Sequence, residues 1–543
     1  MPVHLCTYRN SNTYKLLTAM KIRLSIKIFI GLIILVLMLF FIAKTLFEPW
    51  LIKKIEGTFN SRSENYLIQI NKVHISTFAS NIEIDKIEIS PKQAIGDTSS
   101  LKGEITSISI NRINIIKALL NKDIEIGSVK IGNCNLKGKK PFSSKKEKPI
   151  ISGIQLKIGN LFLDKVNLAI ESDSKSNTYS LKDGVLHIFD LFLEKNDTVD
   201  LNTIKNFDFA AKELVAVASD SVFTYQLSGI AYSNKPGNLR ADSFSIHPNF
   251  NNYDFNARRK FETDRIEAVF NGIFFRGFSP IVYLNSGNLT CSYVEIDKMD
   301  MKAYRDKRKV FNHVRKPALQ DMIYDYNGLV NIDSVAVMNG NITYTEQVKK
   351  ADEPGMISFD QIKLRLYKIT NDTAYKTEKA YSQLNAEALL MGKGKLSISL
   401  KSRIFDRSNA FSVNGSLSGM NASDLNPMLG NNAFVYATSG KIDAMHFSFK
   451  ANNFKADGSM VLRYHGLVLA VKNKQTNDTT GLKARVMSLF ANIKVMDSNP
   501  NPNKEVRKGI IDYKRDPERF IINYCFKSIL TGIKSSLTKK PEK

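Results

Sequence analysis

Asn81–Ser90 reads NIEIDKIEIS, with Ile82 and Ile84 separated by single polar or acidic residues. A spacing of two is the strand period, because successive side chains of a strand point to opposite faces. The same period returns at Ile108 and Ile110 in SISIN, at Ile154, Leu156 and Ile158 in IQLKI, and at Leu364 and Leu366 in KLRLY. It recurs at Leu396, Ile398 and Leu400 in KLSISL and at Leu467, Leu469 and Val471 in LVLAV. Gly and Asn punctuate the runs at Gly159–Asn160, Asn339–Gly340 and Asn414–Gly415, which suits tight hairpin turns. The pattern implies a mainly β protein, mostly antiparallel, with one face of the sheet apolar. That face is either buried against a second sheet, as in a sandwich or barrel, or left open as the lining of a groove. Periodicity fits both.

The chain has 543 residues, of which 43% are hydrophobic and 24% charged, a folding composition long enough for several modules. Cys6, Cys134, Cys291 and Cys525 lie far apart without a C-x-x-C pair, which excludes a disulfide scaffold and a cysteine-rich zinc module. The net charge of +25 favours anionic partners.

Ile28–Ala43 contains no charge and is bordered by Lys27 and Lys44. With Leu24–Ile26 and Thr45–Phe47 it is long enough for a transmembrane helix anchored by Ile28, Phe29, Leu32, Leu35 and Phe40. A cleaved signal peptide is the alternative, but no small-x-small site follows Ala43, and Trp50 stands where an interfacial aromatic would. Arg9, Lys15, Lys21, Arg23 and Lys27 precede the span without an acid, so the positive-inside rule puts the N-terminus in the cytoplasm and exports everything after about residue 47. Met20 opens MKIRLSIKIFIG, an ordinary beginning for such an anchor.

Lys137–Pro149, Lys472–Gly481 and Asp497–Gly509 read as exposed breaks. Beyond them, Asp516 and Pro517 suit the start of a helix, and Ile522, Phe526, Ile529, Leu530, Ile533 and Leu537 form its apolar face. This amphipathic helix either closes the β region or meets a membrane or partner. Residues 1–54 and 504–543 together supply +13 of the +25, and basic flanks suit anionic lipid head groups. No nucleic-acid recognition motif is present.

The sequence offers no catalytic or metal constellation. His4, His74, His187, His247, His313, His446 and His465 are scattered without ligand spacing. Gly415–Gly419, GSLSG, has Leu417 where a nucleophile elbow has Ser, and Gly392–Lys395, GKGK, lacks the spacing of a phosphate loop. Arg305–Arg308, RDKR, reads as a solvated loop or as a site for phosphate or carboxylate held by Arg305 and Arg308. No enzyme activity and no cofactor are expected.

The opening of the chain, with VHIS, NIEIDKIEIS and the run from Ser107 to Gly138, resembles the AsmA-like family of membrane-anchored periplasmic proteins. Phe411–Val471 is similar to the C-terminal portion of that family, and SIHPNF, TDRIEAVF, YRDKRKVF and NITYTEQ look like its Bacteroidota-type members. The resemblance implies a long curled antiparallel sheet whose apolar face carries lipid, with a role in outer-membrane homeostasis. The expected organisation is a basic tail (1–23), an anchor (24–47), an N-terminal β module (48–136) and a basic loop (137–149). A central β region (150–410), a C-terminal β segment (411–471), a loop-rich connection (472–515) and the helix with its basic tail (516–543) complete it. Membrane lipids, the inner membrane and outer-membrane assembly proteins are the expected partners. Ile82, Ile84, Ile154, Leu156, Ile158, Leu364, Leu366, Leu396, Ile398 and Leu400 are the candidate lipid-lining residues. A β scaffold for the assembly machinery, holding no lipid, is the alternative.

Overall fold

The computed structural model describes residues 30–35, 38, 41, 43–63, 66–76, 80–92, 101–114, 117, 123–140, 155–172, 177–194, 204, 206–376, 381–471 and 495–538. Strands dominate: β1 (Tyr66–Ser76), β2 (Asn81–Pro91), β3 (Lys102–Ile113), β4 (Asp123–Lys140), β5 (Gln155–Ser172), β6 (Thr178–Leu193) and β7 (Asn206–Val217). They continue through β8 (Phe223–Ser233), β9 (Asn238–Pro248), β10 (Asp264–Arg276), β11 (Leu289–Asp306), β12 (Val330–Gln347) and β13 (Gly355–Thr370). The last are β14 (Tyr381–Leu390), β15 (Gly394–Arg403), β16 (Phe411–Asn421), β17 (Val435–Ala451), β18 (Lys455–Val471) and β19 (Lys508–Lys514). All belong to one open sheet. Helices are few: α1 (Glu48–Arg62), α2 (Asn252–Ala257), α3 (Pro280–Ser286), α4 (Leu319–Tyr324), α5 (Ile521–Leu537) and short helical turns.

The chain divides into two compact units, one built on β1–β4 and the first part of β5, the other on the rest of β5 and most of the chain beyond it. In the first, β1–β4 pair in sequence order, all antiparallel. In the second, β6–β19 do the same with one exception: β11 and β12 run parallel. That one pair is the exception in a sheet expected to be mostly antiparallel. Parallel neighbours need a crossover, and residues 307–329, which include α4, supply it.

The inward spacing is not uniformly two. At Lys86 φ is +47°, and the alternation is reset, so that Ile84 and Ile87, three apart, share one buried cluster. β1 does the same between Ile70 and Val73, which keeps the register of the two strands unbroken. Gly229 makes an equivalent reset at φ +61°, and a Cβ there would lie 2.0 Å from Asp242 Oδ2, so a larger residue would be strained and would have to displace Asp242.

Each unit fastens the outer edge of its terminal strand to a helix. In the first, Leu51, Ile52 and Ile55 of α1 pack on Ile70, Val73, Ile84 and Ile87. The backbone N–H groups of Ile68, Ile70 and Ile75 donate to Asn60 Oδ1 (2.8 Å), Glu56 Oε1 (2.5 Å) and Glu48 Oε1 (3.1 Å). In the second, Ile510 N–H donates to Ser535 Oγ (3.0 Å) and Asp512 N–H to Thr531 Oγ1 (3.3 Å), both hydroxyls from α5. Edge amides that lack a strand partner thereby find side-chain acceptors.

The C-terminal region departs from the sequence reading in three ways. Helix α5 begins at Ile521, while Asp516–Arg519 form a turn in which Glu518 N–H donates to Asp516 Oδ1 at 2.9 Å. Its buried face is Tyr524, Ser528, Gly532, Ser536 and Leu537, with Ile529 and Ile533 packed beside it and Leu530 half-buried. Ile522 and Phe526 are 80% and 49% exposed, so the expected apolar face is rotated. Close approach of backbone sets the contact line, and small residues permit it. Finally, Asp497–Gly509 is not an exposed break, because Asn499 is fully buried and strand β19 starts at Lys508.

Of the apolar N-terminal stretch, Ile30–Leu35, Met38 and Phe41 are helical, and Leu32 and Leu35 are exposed. Ile28, Phe29 and Phe40 lie outside the described residues, as does most of 137–149 and 472–494. Among the described residues no helix is long and apolar enough to cross a membrane.

Candidate functional site

Register partners share a face, so reading across the ladders tests whether the apolar positions of successive strands line up. In the first unit they form four rows: Ile75–Ile82–Ile110–Val129, Val73–Ile84–Ile108–Ile131, Ile70–Ile87–Ile105–Cys134 and Ile68–Ile89–Gly103–Leu136. The opposite face reads His74–Glu83–Ser109–Lys130. One side is oily and the other wet.

In the second unit a single row runs without a polar break, apart from the Tyr232 hydroxyl, from β6 to β19. Its members are Leu186, Phe209, Tyr232, Leu239, Phe275, Val294 and Val335, then Leu366, Leu384, Leu400, Val413, Phe449, Gly458 and Ile511. Beside it, Ala241, Ile273, Ile296, Val337, Leu364, Ala386, Ile398, Gly415, Phe447, Met460 and Gly509 form a parallel row. Across the resets lies Leu181–Leu214–Leu227–Phe244–Phe270–Met299, with Phe244 and Phe270 stacked at 6.0 Å.

Burial changes along these rows. From Val413 onward the long row is sealed beneath α5, with Val413 2% and Ile511 1% exposed. Phe411, Phe449 and Tyr513 meet Tyr524 there, forming the largest core. Between β6 and β15, Leu186, Phe209, Leu239, Phe275, Val335, Leu366, Leu384 and Leu400 are only half-buried, and Leu214 and Tyr179 are 36% and 46% exposed. Among the described residues there is no second sheet.

Six of the ten expected lining residues fall on these rows: Ile82, Ile84, Leu364, Leu366, Ile398 and Leu400. Ile82 and Ile84 lie in the first unit, Ile84 buried against α1. Leu364 and Ile398 share one row and Leu366 and Leu400 the other, while Leu396 pairs with Leu417. Leu396, Ile398 and Leu400 pack against the α5 core, and that part is filled by the protein's own side chains. Leu156 and Ile158 lie on β5, and Ile154 is outside the described residues. Leu214, Leu227, Phe244, Phe270 and Met299 were not singled out in sequence, although SFSIH carries the same alternation at Phe244 and Ile246.

Arg305–Arg308 is not a solvated loop. Arg305 ends β11 and grips Asp264 with Nε 2.7 Å from Oδ1, while Arg308 Nη2 reaches Asp306 Oδ2 at 2.8 Å. Burial lowers the Arg305 pKa, but the hydrogen bond and charge of Asp264 outweigh it and the net shift is upward. Burial, then the charge of Glu346, pushes the Tyr344 phenol well up, and Lys307 Nζ pairs with Glu346 at 2.8 Å. These guanidiniums serve the protein's own carboxylates. Removing Asp264 leaves Arg305 uncompensated; a fully buried pair broken this way costs about 3–5 kcal/mol. Both side chains keep roughly a quarter of their surface in water, at 23% and 29%. Asp264→Ala is therefore expected to cost about 2 kcal/mol, and pairing it with Arg305→Met to recover most of that, both read by urea unfolding.

GSLSG lies within β16 with Leu417 in the core, and GKGK spans the β14–β15 turn, where Gly392 has φ +66°. Among the described residues no three His, Cys, Asp or Glu side chains gather to hold a metal ion. No protein-family model matches the chain, and no curated protein or solved structure does either.

Proposed function

We propose that the apolar face between β6 and β14 binds or conveys the acyl chains of phospholipid or another lipid. The protein would be held in the inner membrane by residues 24–47, with its bulk in the periplasm and a role in maintaining the outer membrane. The observation that carries this reading is the apolar row from β6 to β14, half-buried except at Tyr232 and Val294, with no second sheet among the described residues. In this reading the sheet is a groove. A methylene moved from water onto such a surface gains about 0.8 kcal/mol, so a chain crossing several strands is held without any polar recognition. The basic ends of the chain suit anionic head groups. The sealed cores at β1–β2 and β16–β19 favour a second reading for those parts, a filled scaffold that docks assembly proteins.

Lipid extraction and mass spectrometry of the full chain purified in detergent distinguish the two. Copurifying phospholipid is expected, and Leu384→Asp should lower it about tenfold, the equivalent of losing two methylene contacts. Recovery of folded protein with no lipid would leave the scaffold.

A further inference from the structure

On the face opposite the long apolar row, β6–β9 enclose a cleft of about 410 Å³. Its floor is made by Ala210 and Ala231, register partners whose short side chains leave room between longer neighbours. On one side stand His187 and Asp208, also partners, and on the other Arg240, the partner of Ala231.

Three polar groups define what this cleft can hold. Asp208 Oδ1 accepts from Ser233 Oγ and from the backbone N–H of Asn234, both at 3.1 Å, which orients the carboxylate. Arg240 rests on the Phe274 ring, 5.3 Å from its centroid, and no carboxylate pairs with it among the described residues. Asn238, which also lines the cleft, has a buried Oδ1 without a hydrogen-bond partner. A buried acceptor left unmatched is costly and marks a place for a donor. The cleft thus offers a carboxylate on β7 and, on β9, a guanidinium with an unmatched amide oxygen beside it, across an uncharged floor.

We propose that this cleft binds a small zwitterion, its phosphate or carboxylate against Arg240 and its ammonium taken by Asp208. Guanidinium recognises a phosphate or carboxylate through paired N–H donors, and an ammonium supplies the donors the other wall lacks. The site lies on the opposite face from the one assigned to acyl chains, so it stands whether or not lipid binds there.

Titration calorimetry of the full chain in detergent, with O-phosphoethanolamine as probe, tests the site. Binding at least about tenfold tighter than that of ethanolamine or inorganic phosphate alone is expected, and Arg240→Ala and Asp208→Asn should each weaken it about tenfold. Arg240 is exposed, so its replacement leaves the fold intact. No binding, equal binding of inorganic phosphate, or binding indifferent to Arg240→Ala each overturns the proposal. The same chemistry is carried by a lipid head group or by a free solute. Flotation with phosphatidylethanolamine vesicles that depends on Arg240 assigns it to the head group; Arg240-dependent binding of the soluble probe without flotation assigns it to a solute.

Discussion

Asn499→Ala is expected to loosen the C-terminal closure by about 4 kcal/mol. The side chain is fully buried. Its Nδ2 donates to the carbonyls of Leu462 (2.6 Å) and Arg507 (3.1 Å), and its Oδ1 accepts from Arg507 N–H at 2.8 Å. Truncation strands two carbonyls and an amide where water does not enter, and each such group costs about 1–3 kcal/mol. Because β19 and α5 hang on this junction, the loss should be local. Hydrogen exchange across residues 508–514 should speed up about a thousandfold while β10–β13 keep their protection. An increase of less than about tenfold would mean that water repairs the site. Asn499→Asp keeps the acceptor but sets a carboxylate oxygen against the Leu462 and Arg507 carbonyls and buries its charge, and should cost at least as much as the alanine.

Gly509→Val should cost about 3 kcal/mol, at the upper end of what overpacking a core does. A Cβ at Gly509 would lie 2.2 Å from Ser536 Oγ and 2.4 Å from the Gly532 carbonyl oxygen. The hydroxyl can rotate away, but the carbonyl belongs to the helix backbone, so α5 itself must lift. Trypsin should then cut at Lys527 and Lys534 under conditions that leave the wild type intact. Adding Ser536→Gly should restore little, since the backbone clash remains. Gly532→Ala is the contrasting case: its Cβ would meet Ile511 Cγ1 at 2.8 Å and Met460 Cε at 3.0 Å, side-chain atoms with room to shift. Its cost should be about 1 kcal/mol. If both glycine variants unfold alike, close helix approach is not what seats α5.

The strand content was legible because Ile82 and Ile84, or Leu396, Ile398 and Leu400, repeat at the one period that places them on a common face. What period two hides is where it slips. Lys86 and Gln361 take φ of +47° and +53°, and nothing in a lysine or glutamine announces a left-handed backbone. The parallel step from β11 to β12 was equally silent, since it depends on a crossover and not on the strands it joins. For α5, hydrophobicity pointed to Ile522 and Phe526, whereas the seat is Ser528, Gly532 and Ser536, residues selected for thinness. Arg305 was noticed as a charge, but its partner Asp264 lies 41 residues away, and only the register of β10 against β11 brings them together.

The attachment of Asn60, Glu56 and Glu48 to β1, and of Ser535 and Thr531 to β19, has a consequence for assembly. A sheet that never closes on itself ordinarily remains a template, ready to accept a strand from another copy and grow into a fibre. Here three amides of β1 and two of β19 are already engaged by the chain's own helices, which removes those docking points from an incoming strand.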